Sequence, residues 1–183
     1  MIWIRRALDG LYLAAGVLAG LFLIAIFLMM MALSVGRELG INVKSGDDIT
    51  AWCMAAMAFL GLAHTFKKGE IIRMGLVIEK LEGRQRRIAE TGVLILGAIL
   101  SGYLAWHAVK MTYESWWLND LSSGVLVVPL WIPQLGFSVG ASILFIAVVD
   151  ELIRVAAGAH PSYAKAAPKT REEIIERAAS GNL

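Results

Sequence analysis

The sequence predicts an all-α integral membrane protein, with four transmembrane helices, an amphipathic interfacial helix on the cytoplasmic side and both termini cytoplasmic. Three observations carry this expectation. Only 17% of the 183 residues are charged and mean hydropathy is +0.67, whereas a soluble domain carries about a quarter charged residues. The apolar residues gather into four runs free of Asp, Glu, Lys and Arg: 27 residues over Gly10–Gly36, 18 over Ile49–Phe66, 19 over Thr91–Val109 and 29 over Leu121–Val149. A helix needs roughly 20 apolar residues to cross a bilayer. The runs are continuous rather than alternating, which suits helices and not a barrel. Finally, 14 of the 17 Lys and Arg fall on one side if both ends of the chain are inside, and positively charged loops stay in the cytoplasm.

The elements follow in order within a membrane domain over residues 1–156. Arg5 and Arg6 precede a first span at about 10–35. Its apolar run exceeds the roughly 7–15 residues of a signal-peptide core, so an uncleaved span is expected. A short outer loop carrying Arg37 leads to a second span at about 48–66. Asp47 and Asp48 open that span, where they complement the positive end of the helix dipole and fit a cap. Docking of another protein is the competing role. The third span is expected at about 88–113, and Trp116, Trp117 and Trp131 gather beyond it. Indoles favour the membrane interface. Pro129 and Pro133 limit the fourth span, placed at about 133–155, because proline suits a first turn and disrupts an interior. The apolar stretch before it, 122–132, is expected to be irregular. Asp150 and Arg154 stand four residues apart, a spacing that allows an ion pair on one helix face.

Between the second and third spans the chain turns basic without becoming a loop of Gly, Pro and Ser. Wound as a helix, residues 70–82 place Ile71, Met74, Val77, Ile78 and Leu81 in one arc of about 120°, with Arg73 and Lys80 opposite. This is the pattern of a helix lying in the interface with basic groups near lipid phosphates. Ile72 and Leu76 fall outside the arc and need a cover, either the chain's own bundle or a partner protein. The tail, residues 157–183, is polar. Thr170 and Glu173 fit a capping box, and both a short helix and a disordered segment suit its composition.

Few residues carry the marks of chemistry. His64 and His107 lie within spans, and buried histidines can bind haem iron. The topology puts them in opposite leaflets, so packing or interfacial hydrogen bonding is the expected role. Acidic residues deep in a span would mark an ion path, but here they fall at span ends. Gly16 with Gly20, and Gly136 with Gly140, have the spacing of close helix contacts. Cys53 stands alone, so no disulfide or zinc cluster is expected within the chain. No nucleophile elbow, phosphate loop or metal-ligand cluster appears, and no cofactor is expected. The basic residues sit where membrane topology needs them, so nothing supports nucleic-acid binding. An accessory, non-enzymatic membrane subunit is expected.

The run "SGDDITAWCMAAMAFLGLAHTFKKGEIIRMGLVIEKL", residues 45–81, resembles the small membrane subunit of tripartite ATP-independent periplasmic (TRAP) transporters. An acidic pair opens the second span (Asp47, Asp48), a small-residue Phe-Leu-Gly-Leu-Ala run follows (Phe59–Ala63), and then a basic turn (Lys67–Arg73). "VPLWIPQLGFSVG", residues 128–140, is similar too. The turn departs from the family's frequent His-Ile-Arg-Val, with Glu70-Ile71-Ile72-Arg73 in its place. The resemblance implies a bacterial inner-membrane subunit with two protein partners. One is a large elevator-type membrane subunit that it braces. The other is a periplasmic substrate-binding protein that it helps receive, in ion-gradient-driven uptake of an organic acid. Arg37, Asp47, Asp48 and Trp131 are then the expected docking residues on the periplasmic side. Lys67, Lys68, Ile72, Arg73, Leu76 and Lys80 are the expected contacts with lipid headgroups or the large subunit. The alternatives are a haem b-type membrane anchor of a redox enzyme and a small autonomous exporter.

Overall fold

The first three apolar runs each lie in a single unbroken helix, and the fourth does so from Trp131 onward, in the computed structural model, which describes residues 2–40, 45–68, 83–124 and 126–156. The helices are α1 (Ile2–Glu38), α2 (Gly46–Lys68), α3 (Gly83–Trp117) and α4 (Trp131–Ala156). All four are long and apolar enough to cross a membrane. The expected interfacial helix, with Ile72, Arg73, Leu76 and Lys80, and the tail lie outside the described residues.

The helix ends follow local chemistry. Gly40, with φ of 73°, follows α1 and donates its N–H to the Arg37 carbonyl at 3.2 Å, the left-handed stop that glycine adopts without strain. Asn119 does the same after α3 with φ of 51°. Around it, the Asp120 N–H reaches the Ser115 carbonyl at 3.0 Å and the Asn119 N–H reaches Trp116 at 3.4 Å, which is a Schellman motif. The fourth helix starts at Trp131, two residues before the expected Pro133. Proline is tolerated there because a helix's first N–H groups have no intrahelical acceptor; the Gln134 N–H makes the first full-turn bond, to Leu130 at 3.3 Å.

The helices pack as a row, α1 against α2, α2 against α4, and α4 against α3, with α1 only brushing α4. Leu33 of α1 meets Gly46 of α2, while Tyr12 meets His64, so these two run antiparallel. Gly136 lies on Ala56 and Gly140 on Phe59 and Leu60, so α2 and α4 run parallel. Between lipid-embedded helices there is little hydrophobic drive, and close backbone approach with interhelical hydrogen bonds takes its place. The row uses both. Ala63, Ala141 and Ala147 are fully buried. A Cβ on Gly140 would lie 2.7 Å from the Phe59 carbonyl carbon, so only glycine lets α4 approach α2 so closely. Between α4 and α3, Ser138 donates to the Ala108 carbonyl at 2.9 Å and meets the Thr112 hydroxyl at 2.5 Å. Of the two glycine pairs read in the sequence, Gly136 and Gly140 both serve helix contact. Gly16 serves too, but Gly20 faces open space.

Candidate functional site

The topology gathers side chains at the two ends of the bundle. At one end α1 stops and α2 and α4 begin, which places Arg37, Asp47, Asp48 and Trp131 at the same level. Asp47 and Asp48 lie in the first turn of α2, which starts at Gly46. The Ile49 N–H bonds to the Ser45 carbonyl at 3.3 Å, so Ser45 holds the capping position and the two carboxylates act on the dipole from inside the turn.

The α3–α4 connection folds over this end. Leu121 and Pro129 form an isolated antiparallel bridge, closed by Ser122 N–H to Val128 O and Leu130 N–H to Asp120 O, both 2.9 Å. Its tip brings Gly124 against the Asp48 carboxylate, so Asp48 is half-buried while Asp47 and Arg37 are exposed. Trp131 is half-buried and lines an open groove of about 490 Å³ with Tyr113, Trp116, Leu135 and Val139. The four expected docking residues therefore share an end of the bundle without forming one cluster.

The opposite end holds a charge cluster that sequence reading missed. Lys67 Nζ lies 2.6 Å from Asp150 Oδ2 and 3.8 Å from Glu151 Oε2, and Arg154 Nη1 lies 3.7 Å from Glu151 Oε2. Glu151 is fully buried. Lys67 also stands 5.4 Å over the Tyr12 ring, within reach of a cation–π contact. The expected partner of Asp150 was Arg154 on its own helix. The structure instead gives Asp150 to Lys67 of α2 and turns Arg154 to Glu151, because Asp150 faces the parallel neighbour. Lys67, expected at headgroups or the large subunit, is held within the chain by these contacts. Lys68 ends α2.

Below the cluster, His64 Nδ1 donates to the Tyr12 carbonyl at 2.9 Å. That bond exists because Gly16 leaves room: a Cβ there would sit 2.7 Å from the imidazole. His107 is exposed on α3, its ring centroid 4.3 Å from that of Tyr103 with the two planes tilted by 52°. The two histidines lie on helices that are not neighbours in the row.

The family comparison fits this architecture. The model of the tripartite ATP-independent periplasmic transporters' DctQ component matches residues 26–158, from the middle of α1 to just beyond α4. The chain belongs to the DctQ family. No curated protein matches it significantly. A DctQ component is the small permease subunit of a TRAP transporter, and its family is one of transporter components rather than enzymes. With four helices able to span a membrane, this DctQ component is a multi-pass inner-membrane protein. The matched region includes both the Arg37 end and the Lys67–Asp150–Glu151–Arg154 cluster.

Proposed function

We propose that this small permease subunit braces the large elevator-type subunit in the bilayer and helps receive the periplasmic substrate-binding protein, supporting ion-gradient-driven uptake of an organic acid. The observation that carries the bracing role is the row itself. Its flanking helices leave broad faces uncovered by the other described residues, Leu21, Ile24, Phe27 and Leu28 on α1 and Leu96, Ile99 and Trp106 on α3 among them. A mobile carrier needs such a fixed lateral support. Uptake is expected only when this chain, the large subunit and the binding protein are reconstituted together in liposomes. Gradient-driven uptake by this chain alone would sink the accessory role.

The excess of Lys and Arg in the segments expected beside the Lys67 end supports a topology with both termini in the cytoplasm. Then Arg37, Asp47, Asp48 and Trp131 face the periplasm, where Arg and Trp are favoured interface anchors. Lys68, Ile72, Arg73, Leu76 and Lys80 stay the proposed contacts with headgroups or the large subunit on the cytoplasmic side, whereas Lys67 is taken up by Asp150 within the chain. In a Cys53→Ser background, Lys44→Cys is expected to label from outside and Lys169→Cys only from inside. Labelling of both from one side defeats this orientation.

Replacing Asp47 and Asp48 with Asn removes charge and keeps short hydrogen-bonding side chains. Uptake by the full complex is expected to fall at low binding-protein concentration and recover when that protein is raised. Unchanged uptake throughout removes the acidic pair from docking, and lost assembly returns it to a structural role.

A further inference from the structure

The groove that opens beside Trp131 runs well into the bundle. Trp131 and Ile146, fifteen positions apart on α4, both line it, which at 1.5 Å per residue makes it about 22 Å long. Val109, Thr112, Tyr113 and Trp116, at helical spacing on α3, form one wall, and Leu11 of α1 lies at the far end with Ile146. Leu135, Val139 and Ile146 are exposed along the floor.

This length is that of one lipid leaflet. A bilayer with its headgroup regions is about 40–45 Å thick, so one leaflet is roughly 20–22 Å. The two ends match as well. Tyr113, Trp116 and Trp131 stand at the mouth, where half-wet rings meet headgroups, while Ile146 and Leu11 stand at the depth of the chain ends.

The girth decides what fits. A volume of about 490 Å³ over that length gives a mean cross-section of about 22 Å². A helix with its side chains is about 10–12 Å across, or roughly 80–110 Å². The groove is too narrow for a helix and has the girth of one extended hydrocarbon chain. Its lining asks for nothing polar. Thr112 and Ser138 each reach the Ala108 carbonyl at 2.9 Å, and Ser142 reaches that of Ser138 at 2.8 Å. No Asp, Glu, Lys or Arg is among the described residues that line it.

We propose that this groove holds one phospholipid, its headgroup at the Trp131 end and one acyl chain laid along α4 as far as Ile146. Seated there, the chain touches α1, α3 and α4 at once. It fills the space left where α1 only brushes α4, and so becomes a structural part of the row. Lipid against Ile24, Phe27 and Leu28, exposed on α1, touches one helix alone and exchanges freely. The indole N–H and phenol O–H groups at the mouth suit ester and phosphate oxygens, and the neutral lining selects no headgroup charge.

The full chain in liposomes of phosphatidylethanolamine and phosphatidylglycerol provides the test. The liposomes are doped with a phosphatidylethanolamine that carries a diazirine either beside the ester or at the end of one acyl chain, and light-induced adducts are mapped to residues. The ester-side probe is expected on Tyr113, Trp116 or Trp131 and the chain-end probe on Ile146 or Leu11. Each should exceed labelling of Ile24, Phe27 and Leu28 by about tenfold, a preference of about 1.4 kcal/mol. Equal labelling of groove and α1 flank would mean ordinary boundary lipid and overturn the proposal, as would a reversed or absent order of depth. Val139→Trp fills the groove midway at a position already exposed. It is expected to remove most chain-end labelling of Ile146 and Leu11 and to leave the α1 flank unchanged; unaltered labelling in the folded variant overturns the proposal. Should that variant fail to accumulate, the wild-type labelling pattern decides. Finally, a photoreactive phenylalanine analogue at position 139, in membranes with the complete transporter, is expected to capture lipid. Capture of a second copy of this chain or of another transporter subunit in its place overturns the site.

Discussion

Replacing Lys67 with methionine is expected to cost the folded bundle about 3 kcal/mol, the lower end of the range for breaking a buried ion pair. Methionine keeps the length of the side chain and the packing on Tyr12 but removes the charge. Asp150 then loses its partner at 2.6 Å. Fully buried Glu151 keeps Arg154 but loses the cation 3.8 Å away. The lower end of the range applies because the Lys67 and Asp150 side chains are still 16% and 23% exposed, and water softens the loss. The double variant Lys67→Met with Asp150→Leu should recover most of the stability, since replacing both members of a pair with apolar groups is close to neutral. Thermal unfolding in mild detergent, read as a double-mutant cycle, checks both steps. A single variant that melts like the wild type, or a double variant as damaged as the single, sinks the assignment.

The second large effect is expected from Gly140→Leu. The new Cβ would lie 2.7 Å from the Phe59 carbonyl carbon and 2.8 Å from the Leu60 nitrogen. These are backbone atoms, so no rotamer change relieves the clash and α4 must move off α2. Overpacking costs typically about 1–3 kcal/mol, and the rigid obstacle puts this case at or above the top. Gly20→Leu is the matched control, because nothing lies within 4 Å of a Cβ there. It is expected to change stability by less than about 0.5 kcal/mol. Equal melting of the two variants would mean that α2 and α4 do not touch at Gly140.

That the chain is all-helical, with four helices long and apolar enough to cross a membrane, was legible in the sequence because long apolar runs call for helices in lipid. Trp131 as the start of α4 was less so. A proline at the third helical position looks like a proline at the first until the bonding of its neighbours is known. The order of the row was not legible. Alanine and glycine recur in α1, α2, α3 and α4, and nothing in their spacing says that α2 and α4 are the parallel pair. That ignorance hid the charge cluster. Asp150 and Arg154 had the right spacing for each other, and only the neighbourhood of α2 redirects Asp150 to Lys67. His64 and Gly16 were each noticed, but their joint role needs the register of α1 on α2. At the Arg37 end, the acidic pair was placed correctly at the start of α2, while the α3–α4 bridge that brings Gly124 to Asp48 depends on contacts between residues far apart in the chain.

The row of helices has a consequence for how the cell handles this subunit. A ring of four helices encloses a core and owes its cohesion to itself. Among the described residues the row has two free sides, and α1 and α3 each have one helical neighbour of substance. A partner that binds only the folded form adds stability in proportion to the logarithm of its concentration over its dissociation constant. Occupancy of the free sides is therefore part of what keeps the row assembled. Copies made in excess of their partner would open more often, and membrane proteases act on open forms. Subunit ratio in the membrane would then be set by turnover of unpartnered copies as much as by synthesis.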